Sequence, residues 1–230
     1  MYPIKPNIIH TYYVNTDTDK SYANLLSQEE TLKASKFKFK KNRNQLVVSR
    51  GALRILSGKY LNKDPKEIGF KYGEFGKPDF DLETPLNFNI SHSGTMAILA
   101  FVLDHAIGVD IEKIKPDFDV MEIASNFFSD LEIEALNKIP KNKLTEAFYR
   151  CWTRKESFIK AKAQGLSFPL DSFSVCINST IKTEVLETKW EEAEKNNWSL
   201  FTFSPNQDYI GAISVKGQIE SVEYYDFKHY

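Results

Sequence analysis

The 230-residue sequence contains little cysteine, no long apolar run and no excess of either charge. Its two cysteines, Cys151 and Cys176, have no histidine close by, so we expect neither a disulfide framework nor a structural zinc site. Lysine and arginine number 30 against 31 acidic residues, which gives a net charge of −1. Duplex-DNA binders usually carry a basic excess or a basic face, so we expect no nucleic-acid partner.

No segment approaches the run of about 18 apolar residues that a membrane-spanning helix needs. The first 13 residues also lack the apolar core and the small-residue cleavage site of a secretion signal. We therefore expect a cytoplasmic protein without a membrane partner.

The remaining composition is typical of a globular protein, with 42% hydrophobic, 13% aromatic and 27% charged residues. Apolar residues at helical spacing predict long helices over residues 42–61 and 143–164. Capping boxes at Ser27–Glu30 and Ser129–Glu132 predict the start of a shorter helix before each of the two long helices. Short strands separated by glycine and proline fill the remainder. This pattern predicts the α+β class, with mainly antiparallel sheets and two halves over residues 1–105 and 106–230.

The first of three polar clusters is Phe88–Gly94, where a strand ends in small polar residues and a glycine. Ser91 and His92 carry donors that a phosphate accepts, and Gly94 allows a backbone to approach a ligand closely. An ordinary turn with a surface histidine explains the same residues, so both interpretations stay open at this point.

The second cluster is Gly108–Lys113, which has the pattern of a strand. Alternation along a strand places Asp110 and Glu112 on the same face. Adjacent carboxylates repel each other, and a divalent cation that prefers oxygen ligands, such as Mg²⁺, removes that repulsion. A solvated strand face with two acids is the alternative.

The third cluster is Trp152–Lys160, inside the second long helix. Glu156 and Lys160 are four residues apart and so lie on one face, as an ordinary ion pair also would. Phe158 and Ile159 indicate a well-buried helix, where charged residues are usually paired or functional. A carboxylate completing a metal site, one turn from a lysine holding a phosphate, fits phosphoryl transfer.

The sequence contains neither the phosphate-binding loop G-x-x-x-x-G-K-[ST] nor the dinucleotide pattern G-x-G-x-x-G. In order and spacing, and with the segment Gly165–Val175 after them, the three clusters resemble the signature motifs of the 4′-phosphopantetheinyl transferases of the surfactin-synthetase-activating type. The resemblance implies transfer of the phosphopantetheine arm of coenzyme A to a serine of an apo acyl or peptidyl carrier protein, with release of 3′,5′-ADP. It also implies a monomeric pseudodimer of two similar α+β halves, with coenzyme A between them.

The resemblance further implies roles for individual residues. Those implied to hold Mg²⁺ are Asp110, Glu112 and Glu156. Those implied to bind coenzyme A are Lys41, Lys77, Ser91, His92 and Lys160. Within these sets, Glu156 is implied as the catalytic base and Lys160 as the catalytic lysine that faces the phosphates.

One position departs from the family pattern. Some members carry two basic residues on the first short helix, where this chain has Lys33 in one place and Glu30 in the other. Two other functions stay open from the residues alone. A Mg²⁺-dependent hydrolase of nucleotides or small phosphates would use the same carboxylates with water as acceptor. A non-catalytic binding module is disfavoured, because binding alone gives little use for three acids beside a pyrophosphate.

Overall fold

The computed structural model describes residues 3–116, 119–178 and 181–228. Over these residues the chain mixes helices and sheets, which confirms the predicted α+β class. Its framework consists of two helices of 22 residues each and two four-stranded sheets. No helix in the described part of the chain is both long enough and apolar enough to span a bilayer.

The elements follow one another in short succession. The first part of the chain forms β1 (Ile8–Asn15), α1 (Gln28–Ser35), α2 (Lys40–Leu61), β2 (Phe70–Tyr72), β3 (Pro78–Phe80), β4 (Leu86–Ser93) and β5 (Met96–Leu103). The second part forms β6 (Ile107–Lys113), α3 (Val120–Phe127), α4 (Asp130–Asn137), α5 (Lys141–Lys162), β7 (Phe173–Val175), β8 (Lys182–Thr183), β9 (Val185–Thr188), β10 (Trp198–Phe203), β11 (Tyr209–Lys216) and β12 (Ser221–Asp226).

The two larger sheets have the strand orders β12-β1-β5-β4 and β6-β11-β10-β8. Every pair of neighbours is antiparallel except β1 and β12, which run parallel. Strand β12 follows β11 of the second sheet along the chain. It nevertheless forms an edge of the first sheet, beside β1. A buried apolar cluster that includes Ile98, Val109 and Ile213 draws residues from both sheets.

Both predicted capping boxes are present and begin the two short helices. The Ser27 side chain accepts from the Glu30 amide, and the Glu30 carboxylate accepts from the Ser27 amide. Ser129 and Glu132 make the same reciprocal pair at the start of α4. These bonds satisfy helix N–H groups that would otherwise lack partners.

Each capping-box glutamate also pairs with a base on the following long helix. The Glu30 Oε2 atom lies 2.9 Å from Arg54 Nη2, and the Glu132 Oε2 atom lies 2.7 Å from Lys155 Nζ. All four side chains are buried, and each base also donates to a backbone carbonyl. A buried ion pair therefore fixes the short helix to the long helix in both parts of the chain.

The first long helix begins earlier than predicted. It starts at Lys40 rather than after Asn42, because Phe39 already occupies the N-cap position without any side-chain cap. Its end is predicted correctly, since Asn62 adopts the left-handed conformation (φ 53°) that stops the helix.

The second long helix ends earlier than predicted. Ala163, with a φ of 55°, makes the left-handed turn after Lys162 that we expected at Gly165. Gly165 is also left-handed (φ 62°), but it opens the next turn of the chain. A Cβ atom there would lie 2.9 Å from the Phe75 Cβ, so glycine lets two loops approach closely.

Gly108 sets the distance between α5 and strand β6. A Cβ atom at this position would lie 2.0 Å from the Ser157 carbonyl oxygen and 2.4 Å from the Ala161 amide nitrogen. No side chain fits, so the helix backbone lies directly against the strand. This close contact brings the polar residues of α5 near the polar residues of β6.

Candidate active site

The first two polar clusters meet side by side, where the edge of β4 faces the edge of β6. The Ser91 Oγ atom donates to Asp110 Oδ1 over 2.9 Å, and the Ser93 Oγ atom donates to Glu112 Oε2 over 2.7 Å. Side chains two residues apart point to the same face of a strand. One face of β4 therefore contacts one face of β6. The structure thus brings together clusters that the sequence separates by about twenty residues.

The third cluster joins them through Lys160. Its Nζ atom lies 2.6 Å from Asp110 Oδ1 and 3.1 Å from Ser91 Oγ. Asp110 is buried, and its second oxygen, Oδ2, has no hydrogen-bond partner within the described residues. A buried carboxylate oxygen without a partner is costly, so Asp110 retains an oxygen that a cation would satisfy.

Asp110, Glu112 and Glu156 line one cavity of about 640 Å³. Burial and the nearby charge of Asp110 raise the pKa of Glu156 to about 7. Burial also raises the pKa of Glu112, against the opposing effect of the Ser93 hydrogen bond. These shifts follow from three acids facing one enclosed space.

The three carboxylates share the cavity wall without converging on one point. Among the residues that the structure describes, no group of three His, Cys, Asp or Glu side chains is close enough to hold a metal ion. The chemistry of the set nevertheless fits Mg²⁺, because it consists of carboxylate oxygens only and includes the free Asp110 Oδ2.

Basic residues line the same cavity. Lys33, Arg50 and His92 line it, together with Lys160. Partial burial in the cavity lowers the pKa of His92, and the positive charges of Lys160 and Arg50 add to this effect. His92 stays exposed to solvent, so it can reach a ligand that enters the cavity.

Lys77 lines a neighbouring cavity of about 410 Å³, which Glu156 and Lys160 also line. Its Nζ atom donates to the Ile107 carbonyl oxygen over 2.8 Å. Burial lowers the pKa of Lys77 to about 8, although the nearby Asp79 raises it. Because Pro78 and Ile90 also line both cavities, the cavities share four residues, adjoin each other and offer space for one long ligand.

Lys41 is the predicted residue that the structure does not bring to the site. It is exposed in the first turn of α2 and lies outside the residues that line either cavity. The remaining predicted residues all line one of the two cavities: Lys77, Ser91, His92, Asp110, Glu112, Glu156 and Lys160.

Sequence reasoning missed the contribution of α2. Asn42, Gln45, Ser49 and Arg50 line the larger cavity from this helix, and the Gln45 amide donates to the Gly94 carbonyl oxygen over 3.3 Å. The first three recur at the spacing i, i+3, i+7, which places them on one helix face. That polar face was visible in the sequence, but its position against the site was not.

Glu30, the position that departs from the family pattern, lies in the first turn of α1. Its carboxylate is buried and accepts from Arg54, so it stabilises the packing of α1 on α2. Lys33 is the residue of α1 that reaches the cavity.

Comparison with known proteins agrees with this geometry. A family model described as the 4′-phosphopantetheinyl transferase superfamily matches residues 106–214, and one described as 4′-phosphopantetheinyl transferase, N-terminal, matches residues 15–103. The chain is 31% identical over 228 residues to the 4′-phosphopantetheinyl transferase HetI of Nostoc sp., covering 94% of this chain and 93% of the relative. It is 37% identical over 162 residues to the 4′-phosphopantetheinyl transferase Sfp of Bacillus subtilis, covering 70% and 71%. The chain therefore belongs to the 4′-phosphopantetheinyl transferase superfamily.

Proposed function

We propose that this enzyme transfers the 4′-phosphopantetheine arm of coenzyme A to a serine hydroxyl of an apo acyl or peptidyl carrier protein, releasing 3′,5′-ADP. The observation that carries the proposal is the contact of Lys160 with both Ser91 and Asp110, at 3.1 and 2.6 Å. Through this contact the three signature motifs meet at a single cavity.

Coenzyme A carries a pyrophosphate and a 3′-phosphate, so its site needs positive groups in more than one place. We propose that Lys160 contacts the pyrophosphate and that Ser91 and His92 lie near the 3′-phosphate. Lys77 would contact the nucleotide in the neighbouring cavity. Lys41, which is exposed, would need to move toward the ligand to contribute.

We propose that Asp110, Glu112 and Glu156 hold Mg²⁺. The free Asp110 Oδ2 and the shared wall of three carboxylates support this assignment. A bound Mg²⁺ would supply neutralisation of the negative charge that develops on the pyrophosphate. Because Lys160 already pairs with Asp110, the lysine has to share or release that carboxylate when the site fills.

The chemical step follows from the residues of the cavity. The oxygen of the carrier serine bonds to the phosphorus that bears the pantetheine arm, and the bond from this phosphorus to the bridging oxygen breaks. Glu156 accepts the serine proton, for which a pKa of about 7 is well placed, because a large share of the group is ionised at neutral pH. Lys160 stabilises the charge on the departing 3′,5′-ADP.

We also propose that the chain is a monomeric, cytoplasmic pseudodimer whose halves span residues 1–105 and 106–230. Supporting this, each half has a capping-box glutamate paired with a base on a 22-residue helix, Glu30 with Arg54 and Glu132 with Lys155. The pairs are 24 and 23 residues apart in sequence. Strand β12 belongs to the second half by sequence and pairs with the first.

Intact-mass measurement on a panel of apo acyl and peptidyl carriers, with coenzyme A and Mg²⁺, tests the proposed function. We expect each competent carrier to gain one phosphopantetheine, and a matched carrier with its serine replaced by alanine to gain none. The Lys160→Ala enzyme is the catalytic control. Consumption of coenzyme A with no carrier modified would instead indicate the hydrolase.

A further inference from the structure

Tyr209, the first residue of β11, reaches the turn that joins β4 to β5. It is 4% exposed and belongs to the buried apolar cluster that draws residues from both larger sheets. Its hydroxyl oxygen accepts from the Thr95 amide over 3.0 Å and lies 3.3 Å from Thr95 Oγ1. Because β11 belongs to the second part of the chain and the turn to the first, this contact joins the two parts.

The turn consists of Gly94 and Thr95, and its shape leaves room for the tyrosine hydroxyl. Gly94 has a φ of 60°, and a Cβ atom there would lie 2.4 Å from the Tyr209 hydroxyl oxygen. The Gly94 carbonyl oxygen accepts from Gln45 Nε2 over 3.3 Å, and the Thr95 carbonyl oxygen accepts from the Thr16 amide over 2.9 Å. These two bonds come from the first part of the chain, and Tyr209 adds a contact from the second.

Ser93, the residue before the turn, contacts the end of β6. Its Oγ atom accepts from the Lys113 amide over 3.1 Å and donates to Glu112 Oε2 over 2.7 Å. Tyr209 pairs with Lys113 across β11 and β6, and the Lys113 Nζ atom lies 5.9 Å from the centroid of the Tyr209 ring. The two hydroxyl groups therefore meet the same end of β6, where Glu112 lines the larger cavity.

Ser93 and Tyr209 both lie outside the residues that line the two cavities, so a ligand there would not touch them. They can act on it only through a residue that does line the cavity, and Glu112 is the one that Ser93 contacts. Groups that orient a carboxylate ligand determine how well it holds a metal ion.

We propose that Tyr209 is a positioning residue whose hydroxyl holds the β4–β5 turn across the two parts of the chain and so keeps Ser93 against Glu112. The inference rests on the proposed role of Glu112 as a ligand of Mg²⁺. Loss of the Tyr209 hydroxyl leaves the turn fixed from the first part of the chain alone. The Ser93 hydroxyl then orients the Glu112 carboxylate less firmly.

Titration calorimetry of Mg²⁺ into the enzyme with coenzyme A bound, without a carrier, tests the effect on the metal. Tyr209→Phe keeps the buried ring and should raise the Kd for Mg²⁺ by about 3- to 10-fold, while kcat at saturating Mg²⁺ stays near the wild-type value. Tyr12→Phe is the matched control, since it also removes a buried hydroxyl, one that lies 2.7 Å from the Tyr60 hydroxyl. This control should leave the Kd for Mg²⁺ unchanged.

A double variant tests whether Tyr209 acts through Ser93. Ser93→Ala alone should raise the Kd for Mg²⁺ by about 10- to 100-fold, because it removes the bond to Glu112 directly. Adding Tyr209→Phe to Ser93→Ala should then cause little further loss, since the two residues act in one chain of contacts. Losses that multiply in the double variant would overturn the proposed route.

Amide hydrogen exchange measures the contact itself and needs no metal. In the wild type the Thr95 and Lys113 amides should be protected, and in Tyr209→Phe both should exchange faster while the Ile213 amide in the middle of β11 does not. A wild-type Thr95 amide that exchanges as fast as an exposed turn amide would overturn the assignment, even if Tyr209→Phe does not fold.

The proposed function and the role of Tyr209 fail in different ways. A wild-type enzyme that shows these metal and exchange effects but modifies no apo carrier would contradict the proposed function alone. A wild-type enzyme that modifies carriers, with the Kd for Mg²⁺ unchanged in Tyr209→Phe, would contradict only the role of Tyr209. A wild-type enzyme that binds no Mg²⁺ would overturn the role of Tyr209 as well as that of Glu112.

Discussion

Lys160 Nζ lies 2.6 Å from Asp110 Oδ1, and this pair joins the helix motif to the strand motif at the wall of the cavity. The Asp110 side chain is 4% exposed and that of Lys160 is 31% exposed, so the lysine retains access to solvent and to a ligand. The acid is fixed, and the base can change partners.

Replacing Asp110 by asparagine should abolish most transfer. The substitution keeps the shape of the side chain but removes the charge that pairs with Lys160 and that would hold Mg²⁺. We expect the rate to fall by at least about 100-fold, which corresponds to about 2.7 kcal/mol of activation free energy. Transfer kinetics over a Mg²⁺ series measure this, with Asp171→Asn, at an exposed position, as control. A wild-type rate at low Mg²⁺ would contradict the assignment.

The role of Glu156 as base predicts a specific pH profile. Its carboxyl must be ionised to accept a proton, so the wild-type kcat/KM, which reports the free enzyme, should rise with pH up to about 7 and then level off. Glu156→Gln should show no such rise with pH, and its rate should be about 10²- to 10⁴-fold below that of the wild type. The exposed Glu122→Gln is the control. A Glu156→Gln enzyme that keeps the rise, or recovers fully at saturating Mg²⁺, would exclude the base role.

Lys77 should make coenzyme A binding depend on pH in the alkaline range. With a pKa of about 8 the lysine is charged below that pH and neutral above it, so the Kd should increase as pH rises past 8. Lys77→Arg remains charged and should show a flatter dependence. Calorimetric titrations from pH 7 to 9.5 make the comparison, with Lys63→Arg, an exposed lysine, as control. Equal slopes in the wild type and Lys77→Arg would remove Lys77 from the binding site.

Gly108 should tolerate no side chain. A Cβ atom would lie 2.0 Å from the Ser157 carbonyl oxygen, so Gly108→Ala must push α5 away from β6. We expect a destabilisation of about 1–3 kcal/mol, in the range for overpacking a core, and a larger fractional loss of transfer than of folded protein. At Gly73 a Cβ atom would meet only the Lys77 carbonyl oxygen at 3.8 Å, so Gly73→Ala is the control. Thermal unfolding measures the stability of each variant, and transfer kinetics measure its activity. A fully active Gly108→Ala would contradict the packing argument.

Much of the site could be predicted because its signals are local. Alternation along β6 places Asp110 and Glu112 together, and helical spacing places Glu156 with Lys160. Strand β5 was predicted with the boundaries that the structure shows, since its apolar residues are continuous between turn signals.

The rest depends on contacts between distant segments. The place of Arg50 at the cavity follows from how α2 packs on the first sheet, against β5 and β1, and nothing in the sequence near Arg50 reports that packing. The parallel pairing of β12 with β1 joins the two ends of the chain, where local patterns carry no register. The end of α5 was predicted at Gly165 because glycine favours the left-handed turn, but Ala163 makes that turn.

The most direct test of the central claim is the stoichiometry of the products. In a reaction with coenzyme A, Mg²⁺ and an apo carrier, we predict one 3′,5′-ADP released for each carrier serine that gains phosphopantetheine, and no release without the carrier. Quantification of the nucleotide by chromatography and of the carrier by intact mass, in the same sample, measures both. Release of 3′,5′-ADP without a carrier, at the rate seen with one, would contradict the transferase and identify a hydrolase.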